Sequence, residues 1–220
     1  MLEDILLIGE HHRRAAQTIV KEILARRQPK FIVAISGESG SGKSELTHVI
    51  AKELFQMGIV AKPVHTDNFY KTLPLERNAF REANGVELVV GSHEYDWEAI
   101  QMVVERFKAG EICEMPCVDL VTQRVDRLVT DFSEIDMLVM DGLYAIKTEG
   151  TDFNIMIDLT YLETKRSQIL RGKEKTDEFR YRVLDTEHLA VTKLRPLAHL
   201  FVGKDYKVYS PGNKKYYYNQ

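Results

Sequence analysis

Eight consecutive residues, Gly37, Glu38, Ser39, Gly40, Ser41, Gly42, Lys43 and Ser44, have the types and spacing that suit gripping a phosphate group. Gly37, Gly42, Lys43 and Ser44 occupy the fixed positions of G-x-x-x-x-G-K-S. The glycines allow positive φ and let backbone N–H groups approach an anion. A helix starting there adds partial positive charge, the Lys43 ammonium can reach β and γ phosphates, and the Ser44 hydroxyl can face Mg²⁺. The stretch therefore reads as an ATP-binding loop rather than a glycine-rich turn with a chance lysine.

Two carboxylates extend this chemistry. Asp141 ends the apolar run "MLVM" and precedes Gly142, a place suited to an acid that holds Mg²⁺. As a plain strand-end residue it would only cap the next turn. Asp67, in "HTDNFYK", can orient an attacking hydroxyl and receive its proton late, as the new bond acidifies it. The competing roles for Asp67 are a helix cap or an outer magnesium contact. A basic stretch supplies Lys165, Arg166, Arg171, Lys173, Lys175, Arg180 and Arg182. Arginine forks suit the spread charge of a γ-phosphoryl group, and a lid over residues 165–182 would exclude water. Arg166 and Arg171 are the expected catalytic arginines. The duller alternative is a solvated basic helix face.

The elements that must position these residues are visible in the pattern. "FIVAIS" before the loop is a buried strand, and the loop opens a helix with Leu46, Val49, Ile50, Ala51, Leu54 and Phe55 at helical spacing. Ala16, Ile19, Val20, Ile23 and Leu24 predict an N-terminal helix within residues 1–30. "GIVAKPVHT" predicts a second strand, and residues 76–96 read as polar and irregular. "DWEAIQMVVERFKAGE" predicts a helix capped by Asp96 and stopped near Gly110. "CVDLVTQRVDRLVTDF" alternates about Gln123 and Arg124 and predicts a β-hairpin. "IDMLVMDG", "DFNIMIDL" and "YKVY" are further strands. Thr160 and Glu163 form a capping box for a helix through Leu170, Gly172 being its stop, and the basic stretch separates it from a helix around "EHLAVTKL". Strands alternating with helices imply an α/β fold, a doubly wound, mostly parallel sheet, with residues 1–220 as one domain. Such sheets bind ligands beyond the C-terminal strand ends, where Asp67 and Asp141 stand.

Composition narrows the class. A net charge of −3 lacks the basic field that nucleic-acid binding needs. No apolar run approaches the ~18 residues of a membrane span, and the acidic start "MLEDILL" is not a signal peptide, so a cytoplasmic protein is expected. Cys113 and Cys117 form a lone pair, too few for a metal site or a disulfide framework, and read as buried reduced thiols. "HHRR" at positions 11–14 reads as a solvated helix face rather than a metal site.

In order, "GESGSGKS", "HTDNFYK", "YDW", the paired strands around "VDLVTQR" and "LVMDGLYAI" resemble the uridine kinase and phosphoribulokinase group of P-loop kinases, from about residue 31 to 182. The resemblance implies a five-stranded parallel sheet, ATP with Mg²⁺, a hydroxyl acceptor and a basic lid. It makes Asp67 the catalytic acid–base, Ser44 and Asp141 the magnesium groups, and places Tyr70, His93, Asp96, Asp119 and Gln123 at the acceptor. Uridine kinases usually carry Tyr-Asp-Phe and then His in the hairpin that grips the base. Here Val118-Asp119-Leu120 and Gln123 stand instead, and Asp141 replaces the usual Glu. The expected activity is transfer from ATP to a nucleoside hydroxyl, the alternatives being a non-nucleoside sugar or sugar acid, or a nucleotide-binding regulator that transfers nothing. A homo-oligomer is left open, and the tail "KKYYYNQ" reads as a terminal hairpin or packed edge.

Overall fold

The computed structural model describes residues 5–165, 169 and 177–212. Its order is α1 (Glu10–Arg26), β1 (Phe31–Gly37), α2 (Lys43–Gln56), β2 (Ala61–His65), α3 (Pro74–Asn84), α4 (Val86–Val89), α5 (Trp97–Ala109), β3 (Ile112–Val118), β4 (Val125–Asp131), β5 (Met137–Gly142), β6 (Phe153–Ile157), α6 (Glu178–Thr192), β7 (Leu200–Val202) and β8 (Val208–Tyr209).

The main sheet runs β2-β5-β1-β6-β7-β8. Five strands are parallel, as expected, and β8 closes one edge antiparallel to β7. Period-two alternation divides β1 between two cores. Phe31, Val33 and Ile35 pack with Ile19, Ile23, Leu46 and Ile50 of α1 and α2. Ile32 and Ala34 pack on the other face with Val103, Val104 and Phe107 of α5 and with Phe132. Both faces of the central strands are therefore covered, which is why their sequences read as unbroken apolar runs. Burying Ile32, Val33, Ala34 and Ile35 completely leaves β1 little freedom to shift, so the loop at its end has a fixed origin.

Helix α5 forms with the expected ends: Asp96 accepts from the Ala99 N–H at 3.0 Å, and Gly110, at φ 69°, donates back to the last turn. The Thr160–Glu163 capping box also closes, Thr160 N–H donating to Glu163 Oε2 at 2.9 Å; the remainder of that expected helix lies largely outside the described residues.

Four expectations need correction. Residues 76–96 are not irregular: α3 starts on Pro74, whose φ suits a first helical position, and its buried residue is the charged Arg81. An ionic buried face carries no apolar periodicity. The hairpin lies further upstream, with β3 beginning at Ile112, Val118 paired with Val125, and the turn between them centred before Gln123. Arg180 and Arg182 are not in a separating stretch, because Asp177 accepts from Arg180 N–H and opens α6. Finally, "HHRR" is not uniformly solvated: Arg13 and Arg14 are exposed but His12 is buried. Cys113 and Cys117 are free and buried, as expected.

Candidate active site

The phosphate loop leaves β1 at Gly37 and enters α2 at Lys43. Gly40 and Gly42 take φ of 76° and 86°, which a side chain would strain. Side chains donate to three of the loop's carbonyls. Lys43 Nζ donates to Glu38 O at 2.9 Å, Thr164 Oγ1 to Ser39 O at 2.8 Å, and Tyr206 to Ser41 O at 2.5 Å. The Ser41 hydroxyl is buried with no protein partner. A glycine-rich loop entering the N-terminus of α2, with a buried and unsatisfied hydroxyl, fits an oxyanion bound in the cradle.

Asp141 is brought to this cradle by register, Ile35 of β1 and His65 of β2 standing opposite it. Ser44 Oγ donates to Asp141 Oδ2 at 2.9 Å, and His65 Nδ1 lies 2.5 Å from Oδ1. Burial would push the Asp141 carboxyl up, but His65, the Ser44 hydroxyl and Lys43 together hold it below the ordinary carboxylate range. The Ser44 hydroxyl and the Asp141 carboxylate are hard oxygen donors of the kind that would hold magnesium. No cluster of three or more His, Cys, Asp or Glu residues forms a further metal cage among the described residues.

Asp67 lies on a 3-10 turn, Thr66–Phe69, directly after β2. The turn crosses so close to Gly142 that a Cβ there would come within 1.8 Å of Thr66 Oγ1 and 3.3 Å of Asp67 Oδ1. A bare glycine thus lets the second carboxylate sit beside the residue that follows Asp141. Tyr95 Oη lies 3.0 Å from Asp67 Oδ1 and 2.8 Å from Tyr70 Oη. With one proton on each phenol, the satisfied chain runs from Tyr70 to Tyr95 to Asp67. Burial and the Asp67 charge push both phenols up, so both stay protonated.

Of the expected acceptor residues, Tyr70 joins Asp67 in this way and the other four do not. Asp96 is spent as the α5 cap. Asp119 turns back on Val121 N–H, Thr122 N–H and the Thr122 hydroxyl. Gln123 donates to Leu120 O at 2.6 Å, and His93 has an exposed side chain. Arg166 and Arg171 lie outside the described residues, as do Lys173 and Lys175.

Several residues that sequence reasoning missed surround the site. Arg77 stacks 3.5 Å above the Tyr70 ring, and its Nε is buried without a hydrogen-bond partner. Arg81 is held by Glu94 through two nitrogens, at 2.7 and 3.0 Å. Buried Glu187 lies between Arg81 and Arg180, at 3.8 and 3.7 Å, while Arg180 also reaches Ser39 Oγ at 3.2 Å. Glu38 ties the loop to Tyr161 N–H and to His188. Glu38 and Ser39 lie in "GESGSGKS", Glu187 and His188 in "EHLAVTKL" and Arg180 in the basic stretch, but no local signal marks their contacts, which join residues distant in sequence.

The model of the Phosphoribulokinase / Uridine kinase family matches residues 32–169. The chain belongs to this family. A uridine kinase from Ureaplasma urealyticum is 26% identical over 144 residues, covering 64% of this chain. The matched region spans 65% of that relative's length. Among solved structures, this family member resembles a protein titled "Possible Uridine Kinase" from Bacillus stearothermophilus, with TM-score 0.64, 19% identity and coverage of 86% of this chain and 97% of the other. D-glycerate 3-kinase from Cryptococcus neoformans has TM-score 0.62 and 12% identity, covering 92% and 99% of the respective chains. These structural likenesses establish the shared fold.

Proposed function

We propose that this member of the phosphoribulokinase and uridine kinase family transfers the γ-phosphoryl group of ATP to a hydroxyl of a small metabolite. The observation that carries the proposal is the placement of Asp67 beside Gly142, one residue from Asp141, on the sheet edge that ends in the phosphate loop. The loop N–H groups and Lys43 grip the phosphates of ATP. Ser44 and Asp141 would hold Mg²⁺, which supplies charge neutralisation on the phosphate oxygens when bound. Asp67 accepts the proton of the acceptor hydroxyl as its oxygen bonds to the γ phosphorus and the bond to the β-phosphate oxygen breaks, releasing ADP. Tyr95 holds Asp67 in place throughout. Arg180 approaches the loop from α6 and is a candidate for stabilising the transferred group, alongside the expected Arg166 and Arg171.

Two features favour a sugar acid or another anionic hydroxyl compound over a pyrimidine nucleoside. The hairpin offers Val118 in place of a stacking ring, and Gln123 is bonded within its own turn. Beside Tyr70, Arg77 makes no ion pair among the described residues and carries its guanidinium next to the Asp67 chain. Such a fork suits a carboxylate or phosphate. A pure nucleotide switch would have no need of a buried tyrosine, Tyr95, holding Asp67. The absence, among the described residues, of a helix long and apolar enough to cross a membrane is compatible with a cytoplasmic enzyme. The test is ADP formation in the presence of nucleosides, pentoses, sugar acids including D-glycerate, and pantothenate. Failure of every acceptor, with ATP binding intact, would favour the switch.

A further inference from the structure

The phosphate loop is braced from behind by the two ends of the described chain. Gly9 N–H donates to His12 Nδ1 at 3.0 Å, which leaves Nε2 as the protonated nitrogen of the neutral ring. His12 Nε2 lies 3.1 Å from Tyr206 Oη, and Tyr206 donates in turn to Ser41 O at 2.5 Å. The hydrogen bonds therefore run in one direction, from Gly9 through His12 and Tyr206 to the loop.

Two further observations show that this contact is built in. Gly42 would place a Cβ 2.0 Å from Tyr206 Oη and 2.7 Å from His12 Nε2, so this pair covers the loop glycine on the side a Cβ would occupy. Tyr206 and its neighbour Asp205 both have left-handed backbones, at φ 56° and 58°. That conformation is costly for residues with side chains and persists where surrounding contacts hold it. The strained turn aims the Tyr206 ring at the loop, and His11 packs against it at 4.5 Å between ring centres.

We infer that His12 and Tyr206 are positioning residues for the phosphate loop, setting its grip on the β and γ phosphates from outside the site. The physical link is the planar trans peptide, in which C=O and N–H point opposite ways. Pinning the Ser41 carbonyl outward fixes the Gly42 N–H inward, toward the nucleotide. Pre-orienting that donor removes an ordering cost from binding. In this role both act on the nucleotide through Ser41. The inference rests on the nucleotide-binding reading above.

The test uses the full chain, a fluorescent ATP analogue, and AMP as a competitor that lacks the β and γ phosphates. Tyr206→Phe keeps the ring and removes only the hydroxyl. It should weaken the ATP analogue and ADP about five- to tenfold, the scale of one lost hydrogen bond to a buried acceptor, and leave AMP unchanged. His12→Leu with Tyr206→Phe should bind ATP as Tyr206→Phe alone does, because the two act in series. Lys43→Ala serves as the benchmark. If it abolishes ATP binding while Tyr206→Phe stays within about twofold of the parent, or if AMP weakens equally, the positioning role is wrong and the loop assignment stands. A fall in melting temperature with unchanged ATP affinity overturns it too, by making the contact merely structural. If Lys43→Ala itself binds ATP normally, the loop assignment falls and the inference falls with it.

Discussion

Tyr95, a fully buried phenol, lies 3.0 Å from Asp67 Oδ1 and separates that carboxylate from the hydrophobic core behind it. The tyrosine fixes where the carboxylate points, and proximity chemistry depends steeply on such placement. Asp67→Asn should retain ATP binding and lose transfer by about 10²–10⁴-fold, the range of general acid–base catalysis. Tyr95→Phe should lose about tenfold in kcat while ATP affinity holds, since it removes orientation and leaves the base. Steady-state kinetics with the acceptor found by screening, beside nucleotide titrations, would check both. Loss of ATP binding in Asp67→Asn would move this residue into the magnesium shell.

Gly142→Ala tests the crossing of the two carboxylate segments. The added methyl meets Thr66 Oγ1 at 1.8 Å, so the Thr66–Asp67 turn must shift. A displacement of about 1 Å at the reacting centre can cost ~10²-fold in rate. Transfer should fall by at least about tenfold with the nucleotide affinity nearly unchanged. A variant that turned over normally would mean the turn yields freely, and that Asp67 does not depend on this contact.

Much of this arrangement was legible from residues whose chemistry and periodicity agree. The apolar strand β1, the glycines and Lys43 sit next to one another in the chain, and Asp96 and Gly110 bracket α5 with local capping bonds. What escaped the sequence depends on partners brought together by folding. Arg81 and Glu94 bury each other thirteen residues apart, so α3 shows charge where a helix normally shows an apolar stripe. His12 finds Tyr206 across 194 positions, and nothing local distinguishes it from His11. In the hairpin, Asp119 and Gln123 matched a family position, yet both side chains satisfy turn groups instead. Motif matching reads residue types by position, and only the fold shows where those side chains point.

His12 makes the fold sensitive to acid. Burial and neighbouring His11 lower its pKa from the ordinary 6.5 to about 4, against a smaller upward pull from Glu45, and Tyr206 faces the ring. A protonated Nδ1 would also oppose the Gly9 N–H that it now accepts. The unfolded chain therefore binds the proton more readily between pH 6.5 and about 4, and stability falls as pH drops through this window. Melting temperature measured across the interval should slope less steeply in His12→Leu than in the parent. Parallel slopes would exclude His12 as a source of the acid sensitivity.

The last prediction concerns the acceptor. A pocket that reads a base by hydrogen bonds rejects a poor match strongly, because its own buried groups go unpaired. Here Val118 stands in place of a ring, is only 4% exposed, and has its N–H already bonded to Asn68 Oδ1 at 3.1 Å. Tyrosine at 118 would therefore overpack the hairpin base, which makes restoring a nucleoside site by Val118→Tyr with Gln123→His a demanding change. The more direct probe is the Arg77 guanidinium over Tyr70. Arg77→Ala should raise the KM for a sugar-acid acceptor by about tenfold or more, the scale of a charge-assisted hydrogen bond, and leave the KM for ATP alone. Arg77→Lys should recover only part of the loss, because a point charge cannot copy the fork. Uridine and cytidine should be poor substrates of the parent. Efficient uridine turnover, indifferent to Arg77, would instead return the acceptor to the pyrimidine nucleosides and leave the guanidinium as a brace for Tyr70.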